Sequence, residues 1–118
     1  MNHEYSVPVQ ARLRRLRRSP FLRSMVRETA ISKNDFIYPM FVCDGKNRYE
    51  EISSMPGIAR LSVDNFEKEV IKLTQKGIKS ILLFGIPNDK DACGSSAVNP
   101  NGCVQQAIRA AKEIAPEL

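Results

Sequence analysis

The stretch VDNFEKEVIKLTQKGIKSILLFGIP, residues 63–87, changes its hydrophobic rhythm once, and that change decides the fold class. In its first half Val63, Phe66, Val70 and Leu73 recur at helical spacing with charged residues between them, the pattern of an amphipathic helix with one buried stripe. Asp64 suits the helix start, Lys72 and Lys76 suit its end, and Gly77 is a natural residue just past the last turn. Ser62 precedes the helix as a good N-cap. In the second half Ile81 to Phe84 form a short all-apolar run, as in a strand covered on both faces.

Upstream, residues 36–43 in NDFIYPMFVCDG make a second near-continuous apolar run, ended by the turn signal Asp44-Gly45. Pro39 within it removes a backbone donor, which favours an edge or a bulge, yet the run is best read as a strand. Two buried strands joined through an amphipathic helix form a β-α-β unit with parallel strands. Between them GKNRYEEISSMPGIARLS reads as polar chain with a turn at Met55-Pro56-Gly57. Downstream, CVQQAIRAAKEIAPEL predicts a last helix with Val104, Ile108, Ala111 and Ala115 on one face and Pro116 ending it. The expected order is strand, helix, strand, helix. Two such units neither close a barrel nor shield the edges of a parallel sheet, so the chain reads as the beginning of a larger α/β fold.

Charge is distributed unevenly. Residues 1–30 hold seven arginines (12, 14, 15, 17, 18, 23 and 27) against Glu4 and Glu28, whereas the remainder balances eleven basic with eleven acidic residues. The net charge of +5 therefore belongs to the first quarter of the chain. Within the basic stretch ARLRRLRRSPFLRSMVRE at 11–28, its densest part, RLRRLRR at 12–18, lacks the interleaved aromatics of single-strand binders. From composition three uses stay open: an arm gripping a neighbouring subunit through guanidinium–carboxylate pairs, a nucleic-acid contact, and an amphipathic membrane surface built on Leu13, Leu16 and Leu22. A stand-alone basic adaptor binding RNA or acidic membrane through residues 12–27 is the alternative function. Two segments are expected, a basic arm at 1–30 and a globular part at 31–118. With 42% hydrophobic residues, no run of about 20 apolar residues and no secretory signal at the start, a cytoplasmic location is expected.

Candidate chemistry is sparse. Cys43, Cys93 and Cys103 lack the close spacing of zinc clips, and His3 is the single histidine, so buried thiols are favoured over a metal or redox site. Asp89 and Asp91 suggest paired acid/base work, but solvated acids flanking Lys90 are the preferred reading. Lys79 precedes a strand and is read as solvent-facing rather than as an amine nucleophile. The loop PNDKDACGSSAVNPNG follows the second strand at its carboxyl end, where α/β enzymes place their chemistry. Phe84 and Gly85 are the nearest candidates for a site wall, with core packing for Phe84 and a turn for Gly85 preferred. No residue is assigned a catalytic, substrate-binding or metal-ligating role.

Taken together, RLRRLRRSPFLRSMVRET, FIYPMFV, SMPGIARLS, GIKSILLFGIP, KDACGSSAVNPNG and QQAIRAAKEIAPEL resemble, in order and spacing, the beginning of the porphobilinogen synthase (delta-aminolevulinic acid dehydratase) family. Cys103 and Val98 depart from the aliphatic and aromatic residues common there, which bears on local packing. The resemblance implies a TIM (β/α)8 barrel truncated after its first two β/α units and preceded by an arm that wraps a neighbour, usually in an octamer. It implies condensation of two 5-aminolevulinate molecules to porphobilinogen, a lyase step of tetrapyrrole (haem) biosynthesis, through Schiff bases to two lysines. Zinc and/or magnesium would serve the full-length parent, with every ligand and both lysines beyond residue 118. The expected partners are thus 5-aminolevulinate and further copies of the chain, with no nucleic acid and no membrane. Since 118 residues are under half of the roughly 250 typical of such barrels, an N-terminal fragment inactive on its own is expected.

Overall fold

The computed structural model describes residues 13–118. His3 and Arg12 lie outside the described residues. Two compact units are present, with the division between Ile31 and Ser32. In the first, Ser19 caps a short helix α1 (Pro20–Met25) by accepting a hydrogen bond from the Leu22 amide at 3.2 Å, with Pro20 in the first turn where a missing N–H costs nothing. The arginines of its described part are exposed, as are Leu13, Leu16, Phe21 and Met25.

The second unit is a four-stranded sheet with two helices. Its strands are β1 (Tyr38–Cys43), β2 (Tyr49–Glu51), β3 (Ala59–Leu61) and β4 (Ile81–Ile86); its helices are α2 (Val63–Gln75) and α3 (Cys103–Ile114). The sheet order is β2-β3-β1-β4, with β1 parallel to both β3 and β4 and β2 antiparallel to β3. The β1/β4 ladder runs in register from Tyr38↔Ile81 to Cys43↔Ile86. Met40 and Val42 from β1, Ala59 and Leu61 from β3, Phe66, Val70 and Leu73 from α2, and Cys103, Ala107 and Ala111 from α3 form one buried core. Phe66, Val70 and Leu73 are the stripe expected from the spacing. The end of α2 is closed by hydrogen bonds from the Gly77 amide to Thr74 O and from the Ile78 amide to Leu73 O, the paired bonds of a Schellman motif.

Pro39 fits within β1 for a geometric reason. The Tyr38 amide donates to Ser80 O at 2.9 Å, toward the β4 side, so the next residue directs its nitrogen to the other edge. There β3 pairs only with Phe41 and Val42, and Pro39 interrupts no ladder bond.

Four sequence expectations need correction. The segment read as polar chain contains β2 and β3; the turn at Met55-Pro56-Gly57 lies between them, closed by the Ile52 amide on Ile58 O and the Ile58 amide on Met55 O. Three-residue strands are too short to display an alternation. Gly85 lies inside β4 rather than in a turn. Ser62 stands at the start of α2 but makes no cap bond to it: fully buried, its hydroxyl accepts from the Arg48 amide at 2.9 Å. The buried stripe of α3 is Cys103, Ala107, Ala110 and Ala111, small side chains that let the helix approach the sheet, and Ile108 is 47% exposed.

Candidate active site

In a parallel sheet, side chains and loops that follow the carboxyl ends of the strands converge on one rim. Here β1 and β4 end together, and the chain after them forms a cleft of about 550 Å³, within the range of small-molecule sites. Asp44, which follows β1, and Gly85, Pro87, Asp89, Lys90 and Asp91, at and after the end of β4, contribute to it. The far wall is Ser96, Asn99, Asn101 and the first turn of α3.

Side chains of α3 fasten this loop. Gln105 Nε2 donates to Ala97 O at 2.7 Å, Gln106 Nε2 to Asn101 O at 2.5 Å, and Arg109 Nη1 to Pro100 O at 2.9 Å. At the other end of the loop the Ser95 amide donates to Asp91 Oδ1 at 2.9 Å. Hydrogen bonding from Ser95 holds the Asp91 carboxyl below the usual aspartate range. One of the two acids considered for proton transfer is thereby engaged in shaping the loop. Asp89 and Lys90 are exposed on the same rim. Lys79 is exposed just before β4, at the opposite end of the strands.

Phe84 stacks on Phe41 with ring centroids 5.1 Å apart and planes 21° apart. With Pro39 and Leu82 these rings share the sheet face turned away from α2 and α3. A Cβ on Gly85 would lie 2.5 Å from Val104 Cγ2 and 3.5 Å from Cys103 Sγ, so Gly85 lets α3 cross close over β4. Cys43 and Cys103 are buried, and burial pushes both thiols up; Cys93 is exposed. Among the described residues no three His, Cys, Asp or Glu side chains are grouped so as to hold a metal ion. No helix among them is long and apolar enough to cross a membrane.

Arg48 is the residue that sequence reasoning passed over. It belongs to no motif, and its partners are up to forty positions distant, so only the folded chain brings them together.

The family profile of delta-aminolevulinic acid dehydratase matches residues 10–118. The delta-aminolevulinic acid dehydratase of Methanothermus sociabilis is 52% identical over 102 residues, covering 86% of this chain and 32% of that protein. The enzyme of that name from Halalkalibacterium halodurans is 48% identical over 107 residues, covering 91% and 33% respectively. Among solved structures, delta-aminolevulinic acid dehydratase (porphobilinogen synthase) of Toxoplasma gondii, crystallised with the reaction product porphobilinogen, superposes with a TM-score of 0.84 at 38% identity, over 94% of this chain and 32% of that one. The chain thus spans about a third of the length of the relatives it matches. That neighbour is a TIM barrel, and this chain covers part of such a barrel; because the helices of a TIM barrel form its outer ring, the helix-free face that carries Phe41 and Phe84 corresponds to the inner side. With the profile matching nearly every residue, the chain belongs to the delta-aminolevulinic acid dehydratase family.

Proposed function

We propose that the whole protein is a porphobilinogen synthase, a lyase that joins two molecules of 5-aminolevulinate into one of porphobilinogen with loss of two waters. The observation that carries this reading is the superposition, at a TM-score of 0.84 over 94% of the chain, on an enzyme crystallised with porphobilinogen. Residues 31–118 then form the first part of the catalytic barrel, and residues 1–30 form an arm that holds a neighbouring subunit, in an octamer by analogy with the family. The protein acts in the cytoplasm, in tetrapyrrole biosynthesis.

The residues described here contribute scaffold and rim. The amine nucleophiles that form Schiff bases with substrate, and the ligands of zinc or magnesium, belong to other parts of the whole protein. A metal there would polarise a carbonyl or activate water. The described residues do not group into a metal site, and no step of the reaction is assigned to them. Two roles remain for this segment. It presents the cleft loop at the carboxyl ends of the strands, and it turns Phe41 and Phe84 inward as apolar packing.

The test is turnover by the full-length protein carrying this sequence. One porphobilinogen should form for every two 5-aminolevulinate consumed, and the 118-residue chain alone should form none. Absence of product from a folded, metal-supplied full-length protein would refute the reading; product from the 118-residue chain alone would refute the assignment of the nucleophiles elsewhere.

A further inference from the structure

One guanidinium ties together the segments that follow the paired parallel strands β1 and β4. Arg48 Nη1 donates to Asp44 O at 2.9 Å and to Asn88 Oδ1 at 3.4 Å, while its Nε and Nη2 donate to Glu50 Oε1 at 3.0 and 2.5 Å. A second bond closes the ring without Arg48: the Asn88 amide donates to Asp44 Oδ2 at 2.9 Å. Asp44 follows β1, Asn88 follows β4, and Glu50 lies in β2, so three separate stretches meet on one side chain.

The seat of Arg48 is itself prepared. Its amide donates to the buried Ser62 hydroxyl at 2.9 Å, and its carbonyl accepts from Asn65 Nδ2 at 3.0 Å, anchoring its backbone to the start of α2. Its aliphatic stem lies over Gly45, where an added Cβ would be 2.8 Å from Arg48 Cδ and where φ is +113°. Arginine suits the place because a planar fork with five N–H donors can serve several acceptors, which a lysine ammonium does with far less geometric definition.

The geometry points to Arg48 as a positioning residue that fixes the two loops after β1 and β4 at the cleft and so sets substrate affinity. This rests on the proposed reaction. Asp44 and the loop immediately after Asn88 line the cleft, so freedom gained at Arg48 is transmitted directly to its wall. Rim contacts hold the ground state and the transition state alike, and their loss is read in KM rather than in kcat.

The experiment compares the full-length enzyme with Arg48→Met, Arg48→Lys, Asn88→Ala and the Arg48→Met/Asn88→Ala pair, reading KM and kcat for 5-aminolevulinate beside Tm. Arg48→Met should raise KM roughly three- to tenfold with kcat within about twofold. Lysine should restore part of the loss. The double variant should be little worse than Arg48→Met, because both substitutions cut the same link. If Arg48→Met does not fold, Asn88→Ala, which keeps the amide bond to Asp44 and with it the local fold, should still raise KM because it removes the acceptor of Arg48 Nη1. Unchanged KM in folded variants of an active wild type, even with a lowered Tm, would overturn the proposal, as would fully additive effects. Inactive wild type would instead refute the reaction, and with it any role of Arg48 in substrate binding.

Discussion

At residue 85 the distance between strand and helix is set by the absence of a side chain. An alanine there would place its Cβ 2.5 Å from Val104 Cγ2, well inside contact distance, and β-branched Val104 has little rotamer freedom with which to withdraw. Gly85→Ala should destabilise the fold by about 1–3 kcal/mol, measured by denaturant titration. Adding Val104→Ala should recover part of that loss, because it deletes the obstructing methyl. The three thiols permit a second prediction at this scale. Cys43 and Cys103 are 2% and 4% exposed, and desolvation, which at Cys43 outweighs the lowering influence of Arg48, favours their protonated thiols. Thiolate is the reactive form. A charged thiol reagent near neutral pH should therefore modify Cys93 alone in the folded protein and all three cysteines after denaturation; rapid labelling of a second cysteine without unfolding would contradict this packing.

Among the elements, the loop between β4 and α3 depends on ionisation. The Asp91 carboxyl, depressed by Ser95, favours the folded arrangement while it is charged. A group of this kind contributes at pH above its unfolded value and loses its contribution as pH falls through the lower folded value. Solvent screens so exposed a carboxylate, so the effect is local to the loop rather than global. The Ser95 amide, followed by NMR, should shift with an inflection below the usual aspartate range, and Asp91→Asn should abolish that inflection. How much of the architecture could be read beforehand also depends on the element. Helix α2 and strand β4 were legible because Phe66, Val70 and Leu73 repeat at helical spacing, and because Ile81 to Phe84 form an uninterrupted apolar run. Strands β2 and β3 were not, since three residues carry too little periodicity and Arg60, between the buried Ala59 and Leu61, reads as part of a polar segment. The face of α3 was misplaced because alanines weigh little in a hydrophobic pattern, while they are what permits close packing. The cleft was legible only as a loop of the right composition at the right end of a strand. Its clamp was hidden, because Arg48 and Asn88 are related by the β1/β4 register and not by any local spacing.

For the whole molecule, the decisive asymmetry is that all of the net charge lies in residues 1–30. Among the described residues the ion pairs are Arg48–Glu50, Arg60–Glu50 and Lys72–Glu69, all in the second unit, and the described arginines of the first unit, from Arg14 to Arg27, take part in none of them. They are exposed together with Leu13, Leu16, Phe21 and Met25, a mixture that would suit a surface presenting both carboxylates and apolar contacts. An assembly arm and a polyanion-binding segment differ in what their removal does. Deleting residues 1–30 from the full-length protein should lower its assembly state, read as a drop in mass by light scattering, and should leave RNA binding negligible before and after. If residues 12–27 instead served nucleic acid, the intact protein would bind RNA with affinity falling steeply between low and physiological salt, since each neutralised phosphate releases counterions. The deletion would then abolish that binding and leave the oligomer intact. Assembly that survives the deletion would overturn the arm reading, and steep salt-dependent RNA binding lost with the same residues would put the adaptor in its place.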